Sequence, residues 1–182
     1  MASKIEKVDL HSTHRVALGE VMDKFKQNPR FKEVGAVIIF RGVVKGVARD
    51  GKELNAVEIE PSEKTLANLK ALCEEYEKKP GVHEIQCHLS VGELDISDSI
   101  MTIALDVTVD GPDIHKMFEY LYEILDKSKR ITGIKLKERN KEGWYYTKQK
   151  IIRRYLTKIY SPIFPIQIAT YLNLLLVETK AR

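Results

Sequence analysis

Apolar residues recur at a spacing of three or four in three segments of the chain, and this spacing predicts three amphipathic helices. The first helix is expected to follow a cap at Thr13 and to end near Pro29. The second is expected to follow a cap at Ser62 and to stop at Gly81, and the third to span residues 114–129. The predicted buried faces are Leu18, Val21 and Phe25 in the first helix, Leu66, Leu69, Leu72 and Tyr76 in the second, and Ile114, Phe118, Leu121, Tyr122 and Leu125 in the third.

Strand-like segments separate these helices. Residues 35–44 are β-branched and largely apolar, which is typical of a strand buried on both faces. The Asp50-Gly51 turn predicts that this strand returns as a hairpin over residues 54–60. There Val57 and Ile59 alternate with Glu58 and Glu60, which predicts one face exposed to water. Further strands are predicted over residues 82–89, 100–109 and 134–139. The order helix, hairpin, helix, two strands, helix, strand predicts an α+β fold with a mixed or antiparallel sheet and flanking helices.

The chain has 182 residues, of which 43% are hydrophobic and 31% charged, a balance typical of a globular domain. Residues 1–147 are expected to form this domain. Residues 148–182 are expected to be a basic and apolar extension that packs on the domain, binds a partner or touches a membrane surface. No apolar run reaches the roughly 18 residues that cross a bilayer, and no signal peptide is evident. Cys73 and Cys87 are interpreted as buried thiols in a reducing compartment, so a cytoplasmic location is expected.

The charge is unevenly distributed along the chain. The net charge is only +4, but residues 127–158 contain twelve basic residues against Glu138 and Glu142, which gives that segment a charge of about +10. Such a segment attracts phosphate, a carboxylate tail, nucleic acid or a membrane surface. The alternative is a solvated basic face.

Three lysines are expected to meet at one end of the domain. Lys129 continues the predicted buried stripe of the third helix, and Lys135 and Lys137 share one face of the strand that follows. Clustered ammonium groups lower each other's pKa, so such a lysine can transfer a proton near neutral pH, and the cluster also binds phosphate. His11, His14, His83 and His88 lack the spacing of a ligand set, so neither a metal nor a cofactor is predicted.

Five segments, taken in order, resemble a known family. They are GAVIIFRGVVKG at residues 35–46, LNAVEIE at 54–60, HLSVGEL at 88–94, IKLKE at 134–138 and EGW at 142–144. This series is similar to the MoaE family, the large catalytic subunits of molybdopterin synthase, and the resemblance spans residues 5–147. It implies an α/β-hammerhead-like fold.

The resemblance also implies an activity and partners. In this family a ubiquitin-like small subunit, whose C-terminal Gly-Gly carries a thiocarboxylate, delivers sulfur to a cyclic pyranopterin monophosphate to give molybdopterin. The large subunits form a dimer within a heterotetramer. Membrane binding is not implied.

Lys129 matches the lysine at the end of the family's third helix, and Lys137 or Lys135 answers the lysine of its W-K-K-E block, although an ungapped alignment places Leu136 there. The resemblance implies that Lys129 and Lys137 are catalytic. The residues expected to bind the anionic groups are Lys45, Lys135, His115 and Lys116. Where the family has a His-Arg pair before the third helix, this chain reads Asp110-Gly-Pro-Asp113.

Two other functions stay open from the sequence. The first is a MoaE-like module that binds the ubiquitin-like partner with impaired catalysis, as the acidic residues at Asp110 and Asp113 suggest. The second is a basic nucleic-acid-binding domain in which Trp144, Tyr145 and Tyr146 stack on bases.

Overall fold

The computed structural model describes residues 5–12, 15–108 and 114–147, which form eight strands, three α-helices and a short 3-10 helix over Pro29–Glu33. Thr13, His14, residues 109–113 and residues 148–182 lie outside the described residues, so the predictions made for them stay predictions. The strands are β1 (Val8–His11), β2 (Ala36–Val43), β3 (Ala56–Glu60), β4 (Val82–Ser90), β5 (Gly92–Asp95), β6 (Ser99–Val107), β7 (Lys135–Asn140) and β8 (Gly143–Tyr146), and the helices are α1 (Leu18–Lys26), α2 (Thr65–Glu77) and α3 (Ile114–Ile131).

The first sheet has the strand order β1-β4-β6-β2, with β1 parallel to β4 and the other pairs antiparallel. Its central strands are buried on both faces. One face of the sheet packs with α2 and α3 in the main core, and the other lies under α1, where Val21 and Phe25 are fully buried.

The second sheet has the order β5-β3-β7-β8 and is antiparallel throughout. Val57, Ile59 and Leu94 enter the same core as the first sheet. The alternation predicted for β3 is therefore confirmed, because Glu58 and Glu60 point to the opposite, wetter face. This face carries the basic residues of β7. The α+β class with flanking helices is confirmed as well.

The predicted hairpin between β2 and β3 is wrong. The Asp50-Gly51 turn exists, but it closes a small loop joined by a single Val47–Glu53 bridge. Strand β2 pairs with β6, whereas β3 pairs with β5 and β7 in the other sheet. Strand β2 is at the edge of the first sheet and is mostly half-buried, so the prediction that both of its faces are buried was also wrong.

The two remaining corrections concern helices. Helix α1 begins at Leu18 with Ala17 as its N-cap, later in the chain than predicted, and the Glu20 carboxylate accepts a 2.8 Å hydrogen bond from the Ala17 amide. Its predicted buried residue Leu18 is 44% exposed. Helix α2 has the predicted face, with Leu69, Leu72 and Tyr76 buried.

Helix α3 is rotated about its axis relative to the prediction. Its buried residues are Met117, Tyr120, Ile124 and Ser128, while Phe118 and Tyr122 are 54% and 41% exposed. The small Ser128 allows close approach to the sheet, where its hydroxyl lies 3.8 Å from the sulfur of Met101. Lys129, the next residue, is consequently exposed and does not continue a buried stripe.

Candidate functional site

The end of α3 is fastened to the start of α2 at one corner of the domain. The hydroxyls of Ser62 and Thr65 donate to the carbonyl of Thr132 over 2.9 and 2.6 Å, and the Asn68 amide donates to the carbonyl of Ile131. These side chains satisfy carbonyls that a helix end leaves without partners. Lys129 lies in the last turn of α3, and Lys135 opens β7 directly after this corner.

Gly133 makes the reversal from α3 into β7 possible. Its φ is +63°, and an added Cβ would lie 3.1 Å from the Ser62 hydroxyl. We expect Gly133→Ala to lower the free energy of unfolding by about 1–2 kcal/mol, because both the backbone and the contact are strained. Gly19→Ala is the matched control: no atom lies within 4 Å of its added Cβ in α1. Urea unfolding should show a neutral or stabilising effect there, and equal effects at the two glycines would contradict this explanation.

Lys137 lies between two carboxylates on the wet face of the second sheet. Its Nζ is 3.0 Å from Oε2 of Glu58, its direct cross-strand neighbour, and it also forms an ion pair with Glu60. On the other side, the same ammonium group lies 5.1 Å from the centre of the Tyr146 ring. The Lys137 side chain is only 21% exposed.

These neighbours set the protonation state of Lys137. Hydrogen bonds to Glu60 and then to Glu58 raise its pKa above the ordinary value, and the bond to Lys137 lowers the pKa of Glu60. The sequence predicted mutual lowering among clustered lysines. That expectation is wrong for Lys137, because the strand register surrounds it with carboxylates rather than with other lysines.

A second cation–aromatic pair lies beside the first. The Arg139 guanidinium lies 5.0 Å from the centre of the Trp144 ring and 2.7 Å from a carboxylate oxygen of Glu93. Arg139, Glu58 and Glu60 were not predicted as site residues from the sequence. Their alternation with apolar residues can be read from the sequence, but the pairing of the strands that carry them cannot.

The other predicted anion-binding residues lie elsewhere in the chain. Lys45 is exposed in the loop before β3, next to Gly46, whose carbonyl accepts a hydrogen bond from the Leu54 amide. Lys135 lies opposite Glu60, at the other end of β3. Strand β3, about 13 Å long, lies between them.

His115 and Lys116 are exposed in the first turn of α3, so about 20 Å of helix separates them from Lys129. Lys116 forms a 2.7 Å ion pair with Glu119. Lys129 therefore lies in the last turn of α3 and Lys135 and Lys137 in the first half of β7, whereas Lys45, His115 and Lys116 lie on other parts of the chain.

A buried polar chain crosses the face of the first sheet beneath α1. The Gln86 amide donates to the Val21 carbonyl, and its oxygen lies 3.2 Å from Nε2 of His88. His88 Nδ1 then accepts from His11 Nε2 at 3.2 Å. Burial, and next the neighbouring His11, lower the pKa of His88 to about 4. The His88 imidazole is thus satisfied as a neutral structural group.

Among the described residues, no group of three or more histidine, cysteine, aspartate or glutamate side chains is arranged to hold a metal ion. Cys73 and Cys87 are buried free thiols, as predicted. Within the same residues, no helix is both long and apolar enough to cross a membrane.

Comparisons with known proteins agree on one family. The model of the family described as MoaE protein matches residues 11–131 of this chain. No curated protein matches the chain.

Solved structures share the fold. The molybdopterin synthase structure from Staphylococcus aureus is 22% identical, with a TM-score of 0.62 over 79% of this chain and 98% of that one. The complex of subunits 1 and 2 of molybdopterin-converting factor from Helicobacter pylori 26695 gives 16% identity and a TM-score of 0.61 over 80% of this chain and 92% of that one. A MoaE protein from Burkholderia ambifaria MC40-6 gives 21% identity and a TM-score of 0.57 over 76% and 86%. Since the family model covers well over half of the residues of this chain, the chain belongs to the MoaE family.

Proposed function

We propose that this chain is the large subunit of molybdopterin synthase. It takes sulfur from the thiocarboxylated Gly-Gly end of a ubiquitin-like small subunit and adds it to a cyclic pyranopterin monophosphate. The observation that carries this proposal is the MoaE match over residues 11–131. The relation to the two-subunit complex from Helicobacter pylori supports a small-subunit partner.

The proposed roles follow from the positions of the three lysines. Lys137 is held protonated, so it acts as a fixed cation that binds an anionic oxygen of the substrate or of the partner's tail. Lys129 is exposed at the end of α3 and is the proposed proton-transfer group. Lys135 is exposed next to them and suits the phosphate.

Lys45, His115 and Lys116 keep an anion-binding role in the proposed homodimer, where a second protomer can supply residues that one chain holds apart. In each of the two transfers the thiocarboxylate sulfur attacks a substrate carbon, and the substrate oxygen that it displaces takes up a proton. Water then hydrolyses the bond between that sulfur and the carbonyl of the small subunit, which leaves the sulfur on the pterin and a Gly-Gly carboxylate on the small subunit. The ammonium groups hold the phosphate and shuttle protons during the attack. We propose that the reaction takes place in the cytoplasm and that residues 148–182 form an extension outside this domain.

Reconstitution tests the proposal directly. Purified chain, a thiocarboxylated small subunit and the cyclic monophosphate should yield the dithiolene product. The same mixture with an unmodified Gly-Gly carboxylate on the small subunit should yield none, because the sulfur comes from that group. Equal product in both mixtures, or no product in either, would reject the sulfur-transfer function.

A binding module without efficient catalysis is the second candidate, and one observation favours it. Two carboxylates already neutralise the cation at Lys137. In that case the small subunit should be retained in a pull-down while turnover stays at background, and turnover well above background would reject it.

A further inference from the structure

The charge around Lys137 is unusual for a site that must bind anions. One ammonium group is shared by two glutamates, so this cluster carries a net negative charge before any ligand arrives. Lys135, across from Glu60 in the strand register, brings the group only to neutrality. An anion approaching Lys137 therefore meets carboxylates as well as a cation that is mostly covered.

The two glutamates differ in how readily they can leave Lys137. Glu58 is in the middle of β3, directly opposite Lys137, and Lys137 is its described side-chain partner. Glu60 is the last residue of β3 and has two other groups at hand. Lys135 lies opposite it in the register, and the Tyr146 hydroxyl is 3.5 Å from its Oε2. Glu60 can thus move off Lys137 and keep polar partners.

We propose that Glu60 is a positioning residue that competes with the anionic ligand for Lys137. In the free protein Glu60 covers the ammonium group and fixes its direction. When a phosphate or carboxylate oxygen binds, Glu60 turns toward Lys135 and Tyr146, and Glu58 keeps Lys137 in place. This inference rests on the proposed function for the identity of the ligand, but the competition itself is a property of the free chain.

Anion binding measures this competition without any turnover. The probe is inorganic pyrophosphate, and calorimetry measures its binding. Low ionic strength is used because salt then screens the charges least. Glu60→Gln removes the competing charge and keeps the side-chain shape, so its affinity for pyrophosphate should rise about three- to tenfold over the unmodified chain. Glu60→Asp, which retains the charge, should restore weak binding.

Two controls separate local competition from general electrostatics. Glu53→Gln removes a carboxylate that pairs with Lys141 at a well-exposed position, and it should leave the affinity unchanged. In the Lys137→Ala background, Glu60→Gln should give no gain. Equal gains from Glu53→Gln and Glu60→Gln, a gain that survives loss of Lys137, or no pyrophosphate binding by Glu60→Gln would each overturn the proposal.

Turnover distinguishes this inference from the proposed function. Where sulfur transfer occurs, Glu60→Gln should lower the KM for the phosphorylated substrate more than it changes kcat, an effect that a merely structural residue would not give. Absence of sulfur transfer together with a tighter Glu60→Gln complex would reject the function and support the competition. Normal turnover, together with a pyrophosphate affinity that Glu60→Gln leaves unchanged, would support the function and reject the competition.

Discussion

Replacing Lys137 with alanine is expected to lower the rate of sulfur transfer by about 100-fold or more. The side chain is a protonated cation held at 3.0 Å from Glu58, so its loss removes an oriented charge that stabilises an anionic oxygen once Glu60 has moved aside. It also removes the ion-pair partner of Glu58 beside the bound anion. Single-turnover kinetics with the thiocarboxylated small subunit would measure the effect.

The matched control for this substitution is Lys141→Ala. Lys141 follows the same strand and pairs with Glu53 over 3.2 Å, but its side chain is 82% exposed. The Lys141→Ala substitution should therefore leave turnover unchanged.

Lys129→Ala should lower turnover as well, with a changed pH profile, because its proposed role is proton transfer. Unchanged turnover in both Lys129→Ala and Lys137→Ala would place the active site elsewhere.

Replacing Asp106 with asparagine is expected to stabilise the protein above neutral pH. Asp106 is fully buried in β6, and neither of its carboxylate oxygens has a hydrogen-bond partner. Its cross-strand neighbour on the same face is Glu84, which is engaged by the Asn28 amide at 2.6 Å. Burial, and next the charge of Glu84, raise the pKa of Asp106 to about 7 from an ordinary value of 3.8.

The direction of the pH dependence follows from that difference. Below pH 3.8 the carboxyl is protonated in both the folded and the unfolded chain, so its contribution to stability is fully present. As pH rises toward 7, the unfolded chain ionises first and the folded state loses stability, and the loss is complete above pH 7. Asparagine has no charge at any pH and escapes this loss.

Urea unfolding of the two proteins at pH 4 and pH 8 tests this prediction. The variant should be more stable by about 1–3 kcal/mol at pH 8, and the difference should shrink toward zero at pH 4. The lowered pKa of His88 has the opposite effect, because it reduces the stability of the folded state as pH falls from 6.5 toward 4. This loss is the same in both proteins. Asp23→Asn, at an exposed ion pair in α1, is the control and should change stability little at either pH. A difference that does not depend on pH would contradict a buried ionisable carboxyl.

The elements of this fold were largely predictable because they depend on local patterns. The spacing of Leu69, Leu72 and Tyr76 identified the buried face of α2, and the alternation of Val57 and Ile59 identified that of β3. Helix α3 shows the limit of this reasoning. Its predicted residues Ile114, Leu121 and Leu125 do pack against the core, but Phe118 and Tyr122 are exposed and the polar Ser128 is buried near Met101, which apolar spacing alone could not indicate.

Strand pairing was the part that local patterns could not supply. The sequence around Asp50-Gly51 favours a hairpin, but β2 instead pairs with β6, some 60 residues later. The candidate site depends on the same long-range information. Lys129, Lys135 and Lys137 could be predicted as a group because they are close in sequence. That Glu58 and Glu60 surround Lys137 follows from the register of β3 with β7.

The parallel pairing of β1 with β4 has a consequence for how the chain folds. Val8 pairs with Cys87, so a long loop must close before the two strands meet. Closing that loop is slow compared with forming local hairpins such as β7–β8. Until β1 arrives, the outer backbone of β4 is unpaired along residues 87–90. Refolding at high protein concentration should therefore favour aggregation through this edge.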